Sequence, residues 1–164
     1  MNYLIKTVLF AIIICTFYGC PVGLDYPIEA PGNEKIDEKL IGTWRNNNAD
    51  AEIIRVKISK KDNFSYSVQV LEKGEMYALE TDNFIGWSAG LEGKKFLFFK
   101  PDNEDKYYHY FIKELKDNKM TSCDLALLDG GKDAVTSTEA LQKEVISSMK
   151  MEGFCAESEQ WTKE

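Results

Sequence analysis

The feature that most constrains the fold is a strict alternation of apolar and polar side chains over short runs. In Phe64-Ser-Tyr-Ser-Val-Gln-Val70 the apolar residues fall at 64, 66, 68 and 70, with Ser65, Ser67 and Gln69 between them. Ile54, Val56 and Ile58 alternate with Arg55, Lys57 and Ser59 in the same way. A period of two puts successive side chains on opposite faces of a strand, one dry and one wet. Turn signals cut the pattern at short intervals, at Lys60-Lys-Asp-Asn63, Glu72-Lys-Gly-Glu75, Leu91-Glu-Gly-Lys94, Pro101-Asp-Asn-Glu104 and Lys116-Asp-Asn-Lys119. Regular short strands separated in this way predict an antiparallel meander, a barrel or a sandwich.

Two predicted strands break the alternation. Phe96-Leu-Phe-Phe99 and Tyr107-Tyr-His-Tyr-Phe-Ile112 are apolar or aromatic on both faces. Strands of that kind need cover on both sides. One face is expected to meet the sheet interior and the other a lid. The lid is expected from the segment after Asp129-Gly-Gly131, over about residues 137–152. There Thr136-Ser-Thr-Glu139 reads as a capping box, and Leu141, Val145, Ile146 and Met149 form one apolar stripe. Gly153 is expected to end the helix, and Phe154 and Trp161 to pin the tail.

The first twenty residues have a different character. Lys6 is followed by the apolar run Thr7–Phe17, and no acidic residue precedes Asp25. A charged start and a short apolar stretch are the parts of a secretory signal, and the stretch is too short to span a bilayer, which takes about 20 residues. The run ends Phe17-Tyr-Gly-Cys20. Gly19-Cys20 resembles the lipobox of bacterial lipoproteins, although Phe17 and Tyr18 depart from its usual aliphatic-then-small pattern. The resemblance implies a signal peptide over residues 1–19, cleavage by signal peptidase II, and lipid on Cys20. It also implies attachment to a bacterial membrane, with the outer membrane as the expected address. A single chain holds a protein to a membrane weakly and several hold it firmly. Residues 20–33 carry three prolines and two glycines after Cys20 and are expected to be a tether.

Composition narrows the remainder. The whole chain carries −7, and residues 1–20 hold Lys6 and no acid, so the remainder carries −8. That balance disfavours nucleic acid, which needs a cationic face, and a polybasic grip on lipid. About 140 residues are enough for one core, expected over 34–164. Cys123 and Cys155 remain in that domain, and outside the cytoplasm they are either bridged or two separate buried thiols. With one histidine and no ligand spacing, they do not make a zinc site.

Gly42-x-Trp44 follows a short helical segment, Glu34–Ile41, and opens the meander. In that position it resembles the first motif of lipocalins, whose tryptophan closes the bottom of an eight-stranded barrel holding a small apolar ligand. The second motif of that superfamily, Thr-Asp-Tyr, has no counterpart in place, since Thr81-Asp82-Asn83 comes several strands too early. The expected fold is therefore all-β with a C-terminal helix, an antiparallel meander closing into a lipocalin-like barrel. The expected pocket lining is Trp44, Trp87, Tyr107, His109 and Phe111. A core filled by those residues is the alternative. His109, the single histidine, is expected either to face ligand or to serve structurally. No serine elbow, phosphate-binding glycine loop or calcium loop is present, and Asp102, Glu104 and Asp105 read as a solvated turn. The reading is a non-enzymatic, membrane-anchored binder of a small apolar molecule, with no cofactor. The alternative is a protein-interaction or envelope-structural lipoprotein with a filled barrel.

Overall fold

The structure is a computed structural model that describes residues 23–125 and 128–164. Residues 1–22, with the expected signal peptide and Cys20, lie outside the described residues. Eight antiparallel strands form a closed up-and-down barrel. They are β1 (Gly42–Asn46), β2 (Ile53–Lys60), β3 (Tyr66–Lys73), β4 (Asn83–Leu91), β5 (Lys94–Pro101), β6 (Tyr108–Lys116), β7 (Lys119–Asp124) and β8 (Glu159–Lys163). Among the described residues, one α-helix, α1 (Thr138–Ser148), lies in the long connection between β7 and β8. Closure comes from β8 pairing with β1, with Trp44, Arg45 and Asn46 opposite Lys163, Thr162 and Trp161. The alternation leaves a meander, a barrel or a sandwich open; the observed fold is the closed all-β barrel that the Gly42-x-Trp44 resemblance implies, with its helix near the C-terminus.

Turn chemistry sets the register. The β4–β5 hairpin turns on Glu92 and Gly93, with φ of 51° and 70°, and the β6–β7 hairpin on Asp117 and Asn118, with φ of 51° and 62°. Two successive residues with positive φ match the right-handed twist of the flanking strands, which suits Gly93 in one turn and Asp117 and Asn118 in the other, whereas Glu92 adopts it despite its longer side chain. Two details differ from the alternation as read. A register shift between Ile53 and Val56 packs Ile53, rather than Ile54, against the barrel core. Phe64 precedes β3 and is 40% exposed, because Asp62 accepts from its backbone N–H and shapes the turn.

The barrel is closed at the end where β1 begins. Leu40 and Trp44 are fully buried there, and the Trp44 indole donates to the Leu40 carbonyl at 2.8 Å. The Tyr66 hydroxyl accepts from the Asp37 backbone N–H at 2.6 Å and shares a hydrogen bond with Ser88 at 3.0 Å. Lys163 spans this end, with its amine 5.4 Å from the Trp44 ring and donating to the Lys39 carbonyl.

A second core lies outside the barrel wall. Phe96 and Phe98 of β5 and Ala89 of β4 form it with Leu141 and Val145 of α1 and with Leu24 and Ile28 of the N-terminal segment. Trp87, Tyr107 and Phe111 pack against the same cluster. The two-faced strands are therefore covered on both sides, by the barrel interior and by this outer layer. Ser137, one residue later than the expected Thr136, caps α1 by accepting from the Ala140 N–H at 3.1 Å. The helix ends at Ser148, earlier than the expected residue 152. Phe154 meets Phe111 at 5.8 Å between ring centroids, whereas Trp161 lies on a strand and points into the barrel.

The segment expected as a tether lies on the barrel. Leu24 and Tyr107 exchange backbone hydrogen bonds of 2.9 and 2.8 Å, and Leu24 and Ile28 are buried. The Ile28 backbone is held on both sides, its N–H donating to His109 Nε2 and its carbonyl accepting from Gln142 Nε2. Two buried apolar side chains and four backbone hydrogen bonds explain why this Pro-containing stretch does not run free.

Leu141 is completely buried between α1 and the wall. Leu141→Ala is expected to lower the unfolding free energy by about 2–5 kcal/mol, from lost burial plus a cavity. Denaturant unfolding measures it, and a loss no larger than that of an exposed-site control such as Leu71→Ala would show that the outer layer is not packed as described.

Candidate functional site

The barrel interior holds a cavity of about 680 Å³. Its walls are apolar: Val56 and Ile58 of β2, Val68 and Val70 of β3, Phe84 of β4, Leu97 and Phe99 of β5, Ile112 of β6, Met120 of β7 and Trp161 of β8. Each points inward because its strand alternates against a polar or outer-core face. Gly86 makes room on β4. A Cβ there would come within 2.7 Å of the Phe99 ring, so a glycine lets that ring lie flat in the wall.

The mouth is opposite the Trp44 end. It is built from residues 48–52 between β1 and β2, from Met76 and Leu79 between β3 and β4, from Asp124 at the end of β7, and from residues 156–159 leading into β8. Met76 is 57% exposed. The cavity is thus a cup with an apolar wall and a polar rim.

The rim concentrates carboxylates. Glu159 accepts from the Asn46 side-chain amide at 3.1 Å. Burial pushes the Glu159 carboxyl up to about 7, Asp124 and Glu52 add to the rise, and the hydrogen bond from Asn46 partly offsets it. Burial also raises Glu52, with Asp124 adding to it. Tyr110 faces this group, and its hydroxyl is pushed well above the usual phenol value, first by burial and then by Glu159, Asp124 and Glu52. Tyr108 and Tyr77 are each pushed up to about 12, chiefly by burial, so both stay neutral hydrogen-bonding groups. The Tyr108 hydroxyl donates to Glu104 at 3.0 Å and that of Tyr77 to the Thr81 carbonyl at 2.5 Å. Deeper in the cup, the Trp161 indole donates to Ser122 Oγ at 3.0 Å.

The residues expected to line the pocket lie elsewhere. Trp44 is inside the barrel but forms its closed end, beneath the cavity. Trp87, Tyr107 and Phe111 lie on the outer face with the second core. His109 lies on that outer face too, its ring stacked on Phe98 at 6.0 Å between centroids and followed by the tilted Tyr107 ring. The register explains the reversal. Phe96 and Phe98 pair with Phe111 and His109, while Leu97 and Phe99 pair with Tyr110 and Tyr108. Members of a cross-strand pair share a face, and the second set lines the cavity. His109 is therefore structural: Nε2 accepts from Ile28, and burial lowers its pKa to about 3, so the ring is neutral. Cys123 and Cys155 are bridged, with Cα atoms 5.5 Å apart, which ties the end of β7 to the chain leading into β8.

Glu159, Glu52, Asp124 and Tyr110 were not singled out in the sequence. The available signal was Glu159-Gln-Trp161, in which alternation places the carboxylate on the same face as an inward tryptophan. Among the described residues, no group of three or more His, Cys, Asp or Glu converges to hold a metal ion, and no helix is long and apolar enough to cross a membrane. No protein-family model, curated protein or solved structure matches the chain.

Half-buried Glu159 and buried His109 give the fold opposing pH dependences. Glu159 titrates at about 7 in the folded chain and near 4.5 when free, so the folded state holds the extra proton in that window. Its contribution to stability falls as pH rises through the window, by about 3 kcal/mol in all. His109 titrates at about 3 when folded and near 6.5 when free, so its contribution falls as pH drops through that range. Glu159→Gln keeps the oxygen that Asn46 donates to and removes the titration. The variant is expected to gain stability steadily between about pH 4.5 and about pH 6.5, where the wild type is flatter because the two effects oppose each other. Denaturation midpoints across that range measure this, and superimposable curves would show that Glu159 titrates as a free carboxyl.

Proposed function

We propose that the protein is a non-enzymatic, membrane-anchored envelope lipoprotein whose barrel binds a small apolar molecule. The observation that carries the reading is the apolar cup of about 680 Å³, which has the size and wall chemistry of a small-molecule site. It favours a binder over a protein-interaction or envelope-structural lipoprotein with a filled barrel. The lone histidine is spent on the N-terminal segment outside the cup, which fits the absence of a catalytic role in this reading.

The anchor rests on the sequence, where Gly19-Cys20 ends a signal-like run and resembles a lipobox. A lipid on Cys20 would lie close to the cup. Leu24 is fixed to Tyr107, just before β6 and so at the mouth end of the barrel. Four residues of extended chain reach about 14 Å at most. The mouth would then face the bilayer surface at short range, a suitable position for taking up amphiphilic molecules. In this reading the address is the outer membrane of a bacterium.

Cys20→Ala is expected to abolish metabolic labelling with radioactive palmitate and to leave an uncleaved precursor. Equal labelling of the two proteins would remove the anchor from the reading.

An apolar fluorescent probe is expected to bind the native chain saturably. Val70→Phe, which adds bulk to the cavity wall, is expected to weaken binding by about tenfold, a loss of about 1.4 kcal/mol. Phe111→Leu, on the outer face, is expected to leave it unchanged. A probe that ignores Val70→Phe and responds to Phe111→Leu would place the binding surface outside the barrel.

A further inference from the structure

On the reading that the cup holds a small molecule, we infer that its ligand is an amphipathic cation, with an apolar body in the barrel and an amine head at the mouth. The shape of the site and the signs of its lining groups carry this. Among the described residues, the lining includes five acidic side chains, Asp50, Glu52, Asp124, Glu157 and Glu159, and no lysine, arginine or histidine. They are graded by depth: Asp50 and Glu157 are exposed on the rim, whereas Glu52, Asp124 and Glu159 are half-buried at the top of the apolar wall. An amine entering from solvent meets negative potential all the way to the wall. Lys73, at the mouth end of β3, is tied to Asp82 at 2.5 Å, lies over the Tyr77 ring, and does not line the cavity.

A carboxylate- or phosphate-headed lipid fits this lining badly. Its head would be desolvated beside the carboxylates of Glu52 and Glu159, with no cation among the described lining residues to pair. An alcohol head gains hydrogen bonds but no charge attraction. An amine both pairs with the carboxylates and relieves their mutual repulsion, the cause of part of the Glu159 and Glu52 shifts. Glu159 is faced by Asn46 of β1, by Glu52 of the β1–β2 loop, by Asp124 of β7, by Tyr110 of β6 and by its own neighbour Trp161. Among the described residues, the other titratable groups facing Glu159 are acidic or phenolic. A bound amine favours the ionised form of Glu159, and its affinity therefore rises with pH through about 7.

The test is calorimetric titration of the full chain at about pH 8 with three molecules of one chain length, dodecylamine, dodecanol and dodecanoate, each below its solubility or micelle limit. The amine is expected to bind tighter than the alcohol, and tighter than the carboxylate by about tenfold or more. Glu159→Gln and, separately, Glu52→Gln are each expected to shrink the preference for amine over alcohol, with circular dichroism confirming that each variant folds. Dodecanoate or dodecanol binding as tightly as the amine overturns the inference and leaves the apolar-binder reading standing. An amine preference that neither glutamine variant moves also overturns it. Failure of all three molecules to bind defeats the apolar-binder reading itself.

Discussion

The pairing of β5 with β6 is the constraint around which the rest of the structure is arranged. It places Phe96, Phe98, His109 and Phe111 on one face and Leu97, Phe99, Tyr108 and Tyr110 on the other. Neither face tolerates water, so the ribbon must be the shared wall between two apolar compartments. The barrel interior is one. The other is supplied by chain that would otherwise be loop and leader: α1, which presents Leu141 and Val145, and the segment carrying Leu24 and Ile28. The disulfide then fixes the exit from this layer, because Cys155 follows directly on Phe154, which packs against Phe111.

That arrangement explains which parts of the structure were legible in the sequence. The strands of β2 and β3 announced themselves because each has one wet face, and the five turn signals fall between successive strands as read. The need for a lid, and its source after Gly131, followed from the same reasoning. What alternation does not encode is which face of a doubly apolar strand points inward. Tyr107, His109 and Phe111 form one set and Tyr108, Tyr110 and Ile112 the other, and both satisfy a period of two. The choice is made by elements far away in the chain, the N-terminal segment and α1, so the expected pocket was turned inside out. The last strand was hidden for another reason. Glu159-Gln-Trp-Thr-Lys163 has one apolar side chain, and its strand character comes from the edges of β1 and β7 that it closes. Glu159 went unnoticed with it.

The same partition also accounts for His109. An aromatic ring that can accept a hydrogen bond suits a position where the outer layer needs both stacking on Phe98 and an acceptor for the Ile28 N–H. Phenylalanine would supply the first alone. Burial keeps the ring neutral by lowering its pKa to about 3, and the cost is that the remaining proton sits on Nδ1, which is buried without a hydrogen-bond partner among the described residues. The single histidine is therefore explained by packing and by one backbone group, and its Nδ1 is left unpaired among the described residues.

A hollow barrel gains less from its centre than a filled one, and the outer layer adds to what the lumen wall supplies. Packing the interior with side chains is the usual way an eight-stranded barrel of this size is held. Here the completely buried large side chains gather at two other places: Leu40, Trp44 and Tyr66 at the closed end, and Ile28, Phe96, Phe98, Leu141 and Val145 in the outer layer. Burying a side chain of that kind contributes roughly 1.5–3 kcal/mol, so these two clusters add to what the buried lumen wall of Val56, Val68, Leu97 and Trp161 contributes. The interior is then free to remain a cup, and its mouth can carry half-buried carboxylates whose mutual repulsion would be a defect in a filled core. In this fold the hollow and the acidic rim depend on the same thing, the apolar layer wrapped around the outside.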